Sequence, residues 1–323
     1  MTLLRPKRRD ILRLAAMAPA FALPAAARAT LGAPAKANPS HYRFTMGEAE
    51  LTVVSDGYFS LPTDGTGVNA DPEEVQAFLR RHYLSAEMGY SHTNHLVIDL
   101  GEARVLVDVG SGNRFLPTTG RLMDNLGAAG IDPGSITHVV ITHAHPDHIW
   151  GVRDGFDEAI IPGARYFIGE AEHRYWTQDD LVNQVPAEDQ QFVLGAVNSI
   201  NVDGADWVLA RDGHEVAPGI RMVDTPGHTP GHMSVVVESG GKQLMALGDA
   251  MTHSLLSFAR PKWYNGFDSD GEMAVTTRMR LLDMAAADGI AVLGYHFAFP
   301  GVGHVLREAD GYRFLPALWR FRG

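Results

Sequence analysis

Within the run THAHPDH, His143, His145, Asp147 and His148 place three imidazoles and a carboxylate in six residues. Three more groups of the same chemistry follow: His228 in DTPGHTPGH, Asp249 in LGDA and His296 in GYHF. Five imidazoles and two carboxylates suit two divalent metals of hard-to-borderline character. Two such ions about 3.5–4 Å apart, sharing a hydroxide, form a hydrolytic centre. The reaction type this implies is hydrolysis, with Asp147 or Asp249 orienting the water and taking its proton. No serine or cysteine nucleophile is required.

Each residue has its own argument. His143 and His145 are two apart, so an extended segment turns both to one side. Pro146 suits the first turn of a helix. Asp147 and His148 then leave that turn in different directions, so that each pair can serve one metal. Such density is a poor fit to core packing, since every buried polar group needs a partner. DTPGHTPGH offers His228 and His232, both between stiff Gly/Pro turns, and the residues alone do not choose between them. Asp249 is stranded after the apolar run LMALG and needs its charge compensated. Its two oxygens can bridge two cations; the bland alternative is a cap or turn. His296, after IAVLGY, follows the same strand-end logic.

The elements that must carry these groups are legible as patterns. HYRFTMG with ELTVVSDG, and HTNHLVIDL with ARVLVDVG, read as strand pairs, and ITHVVIT is a short buried strand running into the first cluster. GRLMDNLGAAG has helical spacing and stops at Gly130. Glu170 to Ile200 is mostly helical by pattern. WVLA, IRMVDT, MSVVVES and KQLMALGD read as strands, with a tight turn at Ser239-Gly240-Gly241. EMAVTTRMRLLDMAAADG is an amphipathic helix, IAVLGY a buried strand, and VLRE with GYRFLP a closing hairpin. Hairpins, a helix, and a strand ending in metal-type residues thus occur twice. This predicts two packed sheets with helices outside, an α/β chain of αββα type.

Composition narrows the function. The 323 residues contain no cysteine, which excludes disulfides and thiolate ligands. The ions are then held by imidazole and carboxylate, zinc first, with iron, manganese or cobalt as alternatives. The formal net charge of −11 is unevenly spread: residues 1–29 carry six basic groups against Asp10, leaving −16 on the rest. So acidic a chain repels nucleic acid and anionic membranes. No apolar run approaches a membrane span, so no stable membrane anchor is expected. Arg8-Arg9, the alanine-rich stretch after it and the triplet Ala27-Arg28-Ala29 are similar to a twin-arginine signal. The expected layout is a signal peptide at 1–29, a flexible leader at 30–40 and one hydrolase domain at 41–323, in the periplasm.

HxHxDH, TPGHTPGH, GD and a late histidine together resemble the metallo-β-lactamase superfamily, from His41 to the C-terminus. The resemblance favours His228 over His232. It implies one metal on His143, His145 and His228, another on Asp147, His148 and His296, and Asp249 bridging them. VLVDVGSGNRF, GRLMDNLGAAGI and FAFPGVGHVLREADGYRFLP resemble the methyl parathion hydrolase branch and its related lactonases and arylesterases. That branch implies a pocket walled by Phe115, Trp176 and Phe192, and a homodimer. The chain departs from Bacillus-type homoserine lactonases at Thr252, where they carry a tyrosine. The expected activity is hydrolysis of a small-molecule lactone, aryl ester or organophosphate triester. The alternatives are a glyoxalase II-like thioesterase, an iron-dependent oxygenase of the same superfamily, or a metal-binding protein without turnover.

Overall fold

Side-chain alternation decides the layering. A computed structural model describes residues 38–319; the signal-peptide expectation for residues 1–29 lies outside the described residues. The first sheet runs in chain order: β1 (His41–Met46), β2 (Ala49–Pro62), β3 (Met88–Asp99), β4 (Arg104–Val107), β5 (His138–Ile141), β6 (Arg165–Gly169) and β7 (Asp206–Ala210). The second sheet is also sequential, from β8 (His214–Ala217), β9 (Ile220–Asp224), β10 (Met233–Ser239) and β11 (Lys242–Ala246) to β12 (Ala291–Leu293), β13 (Val302–Glu308) and β14 (Gly311–Pro316). In β4, Val105 and Val107 point to the cluster between the sheets and Leu106 to the outer one. In β5, Val140 points inward and Val139 and Ile141 outward. Central strands are apolar on both faces because both faces are covered.

The eight helices described are α1 (Pro72–Arg81), α2 (Leu122–Ala128), α3 (Pro146–Ile149), α4 (Glu170–Trp176), α5 (Leu181–Gln184), α6 (Gln190–Ile200), α7 (Leu256–Ala259) and α8 (Gly271–Asp288). Leu122 and Leu126 of α2 and Val193 and Ala196 of α6 cover the first sheet. Leu281, Leu282 and Ala285 of α8 cover the second. The architecture is an αββα sandwich.

The two halves repeat one device. β3–β4 and β10–β11 are antiparallel pairs, and β4–β5 and β11–β12 are parallel. A parallel neighbour requires a crossover, and α2 and α8 supply it. Asp108 and Asp249 therefore follow β4 and β11, while His143 and His296 follow β5 and β12. All four groups emerge on one rim of the sandwich.

Several expected elements form as read. Helix α8 starts at Asp270, whose carboxylate accepts from the Met273 N–H at 2.9 Å, and stops at Gly289 with φ 66°. The β10–β11 turn is Gly240-Gly241, both with positive φ, as a two-residue hairpin loop of matching twist requires. Three features go beyond the sequence reading. Strands β2 and β3 run 14 and 12 residues, as a long two-stranded arm, and α1 lies in the connection between them. β6 is buried on both faces over four of its five residues, too short for a period to show. β8 is a four-residue edge strand. Among the described residues no helix is long and apolar enough to cross a membrane.

Candidate metal centre

All seven residues singled out by type and spacing converge on this rim. Three overlapping trios have ligand-type atoms within 4.8 Å of one another: His143, His145 and His228; His143, His148 and Asp249; and Asp147, His148 and His296. Asp249 joins the first and last trios. Its Oδ1 lies 3.4 Å from His148 Nε2, and its Oδ2 lies 3.3 Å from His228 Nε2 and 3.1 Å from His296 Nε2. Asp147 Oδ2 stands 3.5 Å from His148 Nε2 and 3.4 Å from His296 Nε2.

Local structure aims each ring. His145 precedes α3, with Pro146 in its first turn, so Asp147 and His148 turn away from the extended His143–His145 segment. Four histidines are held at Nδ1, leaving Nε2 for the site. His148 Nδ1–H donates to Asp108 Oδ2 at 2.8 Å, His228 to Asp268 Oδ1 at 3.0 Å and His296 to the His92 carbonyl at 2.9 Å. His143 Nδ1 lies 3.1 Å from Thr142 Oγ1, whose hydroxyl donates to Asp108 Oδ2 at 2.9 Å. His145 presents Nδ1 instead, 3.0 Å from His228 Nε2. An oxygen partner on one ring nitrogen, fixing the tautomer of the other, is how metal-binding imidazoles are prepared.

Four of the inward atoms make no hydrogen bond. His143 Nε2, His148 Nε2, Asp147 Oδ2 and Asp249 Oδ1 are all buried without a hydrogen bond. Four such atoms around one point would be costly in a site that stayed empty of cations. Electrostatics agree. Burial works against charge on Asp249, yet His296, His148 and His228 outweigh it and hold its carboxyl well below the usual range. Burial also opposes a charged His228, but the Asp249 and Asp268 carboxylates push it up to about 9. His148 is raised in the same way, against burial, by Asp147, Asp249 and Asp108. Burial lowers His143 and His145. The site thus balances its carboxylates with protons that divalent ions would displace. The donor set, all imidazole and carboxylate, fits zinc, iron or manganese.

Four supporting residues escape sequence reasoning. Asp108, at φ 58° just after β4, accepts from the Thr142 N–H, the Thr142 hydroxyl and His148. Glu172 is fully buried on α4. Its Oε1 accepts from Ala144 N–H at 2.9 Å and Trp176 Nε1–H at 2.6 Å, and its Oε2 from the Thr229 hydroxyl at 2.7 Å and Gly231 N–H at 3.0 Å. One carboxylate therefore pins both loops that carry the first trio. Burial raises its pKa despite those four donors. Asp268 reaches His228 from a segment with no motif. Tyr295 donates its hydroxyl to the Asp147 carbonyl at 2.5 Å. The repeated pattern of an acid just after a strand, as at Asp249, was the one signal that could have found Asp108.

His232 is not among the converging groups. Its Nε2 accepts from the Asp249 N–H at 2.9 Å and its Nδ1 donates to Thr225 Oγ1 at 2.8 Å. It positions the aspartate. Burial lowers it to about 3, so it stays neutral.

The aromatic residues divide. Phe59 lies edge-on to His296 at 5.3 Å, Phe115 to Phe59 at 6.0 Å, Trp150 to Phe115 at 6.0 Å, and Phe192 beside Trp150 at 6.4 Å. A line of rings therefore leads away from His296, with Phe115 and Phe192 half-buried. Trp176 is buried, with its ring 5.9 Å from His145 and its N–H on Glu172. Phe59 reaches the line because β2 bulges between Ser55 and Gly57.

A sequence profile described as the Metallo-beta-lactamase superfamily matches residues 88–292. An N-acyl homoserine lactonase from Bacillus sp is 24% identical over 199 residues, 61% of this chain and 66% of that protein. The match thus spans just under two thirds of that relative's length. Among solved structures, AidC, a dizinc quorum-quenching lactonase, superposes with TM-score 0.76 at 24% identity, over 88% of this chain and 100% of the other. Hydrolase AbOPH in the beta lactamase superfamily gives TM-score 0.81, with the same identity and coverage. At that identity both structural likenesses speak to the fold.

Proposed function

The chain belongs to the metallo-β-lactamase superfamily, and from that premise we propose that it is a dinuclear-metal hydrolase of lactones or aryl esters, with phosphotriesters as a second electrophile. The observation that carries the proposal is the set of four buried atoms without a hydrogen bond, on His143, His148, Asp147 and Asp249, at the meeting point of three ligand trios. His143, His145 and His228 would hold one ion, Asp147, His148 and His296 the other, with Asp249 between them. The ions, zinc first, would supply Lewis acidity and a water acidified towards neutrality.

The chain's own groups do the rest. Asp147, tethered at its carbonyl by Tyr295, takes the proton of the attacking water and returns it to the departing oxygen. Asp249, fixed at its backbone by His232, keeps its negative charge between the two sets of imidazoles. The rings of Phe59, Phe115 and Phe192 line the approach and suit an apolar acyl chain or aryl group. N-acyl homoserine lactones, the substrate class in the names of the relatives, combine a small lactone with such a chain.

The test is a panel of N-acyl lactones, aryl esters, phosphotriesters and thioesters, followed by proton release. Turnover of lactones or aryl esters supports the proposal. Turnover of thioesters alone, or metal-dependent oxygen uptake without hydrolysis, replaces it. We extend the proposal to export by a twin-arginine leader at residues 1–29 and to a homodimer. N-terminal sequencing of the exported chain and light scattering check these two points.

A further inference from the structure

Segment 261–270, which lies outside every motif, touches a ring of the metal centre through one side chain. Asp268 is buried, and its Oδ1 accepts from His228 Nδ1–H at 3.0 Å. Its Oδ2 accepts from the Asn265 N–H at 3.1 Å and lies 3.6 Å from Arg278 Nη2. Arg278 is 2% exposed on the covered face of α8, an unusual place for a guanidinium. Its other donors reach the carbonyls of Ala250, Pro261 and Trp263. One buried cation therefore ties the loop of Asp249, the start of the segment and Asp268.

The segment is also laced to the far half of the molecule. Gly266 N–H donates to the Gly65 carbonyl at 2.7 Å, Val68 N–H to the Tyr264 carbonyl at 3.3 Å and Tyr264 N–H to Asn69 Oδ1 at 2.8 Å. Ser269 and Asp270 N–H groups donate to the carbonyls of His228 and Gly227, both at 2.9 Å. Loop 226–228 is thus held by its backbone, while the rotation of the His228 ring is fixed by Asp268 alone at Nδ1.

We infer that Asp268, set in place by Arg278, is the positioning residue that makes His228 competent to bind metal, and that segment 261–270 exists in part to deliver it. The inference rests on the metal-hydrolase reading. Removing an oxygen partner from a metal-bound histidine weakens its ion about 10–100-fold. The effect falls on the ion held by His143, His145 and His228, and spares the one held by Asp147, His148 and His296.

The experiment is zinc competition against a chromophoric chelator, with cobalt absorption spectra, on the wild type, Asp268→Ala and Asp268→Asn. The expected result is two ions in the wild type. In Asp268→Ala one of them weakens by one to two orders of magnitude, with a changed cobalt spectrum, while the other is unchanged. Asp268→Asn, which keeps an acceptor at Oδ1, recovers part of the loss. Two ions of wild-type affinity in Asp268→Ala overturn the inference alone. Equal weakening of both ions, with a lower melting temperature before metal is added, also overturns it by assigning Asp268 to general folding. A wild type that binds no divalent metal overturns the functional reading itself.

Discussion

Glu172 shows how much of the centre depends on single groups that never face it. Its two oxygens receive four donors, three from the loops bearing His143, His145 and His228 and one from Trp176 on its own helix. Glu172→Gln turns one oxygen into an NH2 group that confronts two of those donors. Each buried donor left unsatisfied costs about 1–3 kcal/mol, so the variant is expected to melt lower and to hold the first ion loosely, as thermal denaturation and metal analysis would show. His148→Ala removes an Nε2 shared by two trios; it is expected to lose one ion and nearly all hydrolysis, and a protein keeping both ions and full activity would refute the assignment. The seven inward residues were legible because reactive types crowd at strand ends. Their supports were not, because Asp108, Glu172 and Asp268 meet their partners 28 to 59 residues away in sequence. No local spacing encodes such a pairing.

Among the elements, the packing of loop 226–228 on α8 is a close constraint on the centre. Gly227 has φ 129°, and a Cβ there would stand 2.2 Å from the Ala274 nitrogen. Gly227→Ala adds backbone strain of about 1–3 kcal/mol and overpacking of about 1–3 kcal/mol. The expected outcome is a melting temperature lower by several degrees, measured by calorimetry, together with weaker binding of the ion near His228. Elements with a clear period could be read in advance: α8 from its spacing and caps, and β4, β5, β11 and β12 from apolar runs ending in chemistry. The outer half of the β2–β3 arm could not, because it is mostly half-buried and carries no apolar alternation; Tyr58 and Tyr90, for example, face solvent. The bulge that aims Phe59 at His296 was hidden for a different reason. It depends on Asp56, whose carboxylate accepts from the N–H groups of Gly120 and Leu122 across the loop after β4.

At the scale of the molecule, protons and metal compete for one set of buried histidines, and stability should record it. Burial holds His95 at about 4 and His232 at about 3, both below the ordinary 6.5. Groups lowered in this way contribute stability that is present above about pH 6.5 and lost as pH falls towards those values. His228, raised to about 9 in the metal-free chain, contributes stability present below pH 6.5 and lost as pH rises through 9. The metal-free protein is therefore expected to melt highest near pH 6.5 and lower on either side. Bound ions require deprotonated ring nitrogens, so loading should abolish the decline on the alkaline side. Calorimetry with and without chelator between about pH 5 and pH 9 checks this, and a metal-free melting temperature that rises steadily to pH 9 would refute it. The central claim, a dinuclear hydrolytic centre, is tested most directly by elemental analysis of the purified chain paired with titration of proton release on lactones and aryl esters. The account predicts about two divalent ions per chain and metal-dependent proton release; a chain with one iron and no hydrolysis, or with no metal at all, would contradict it.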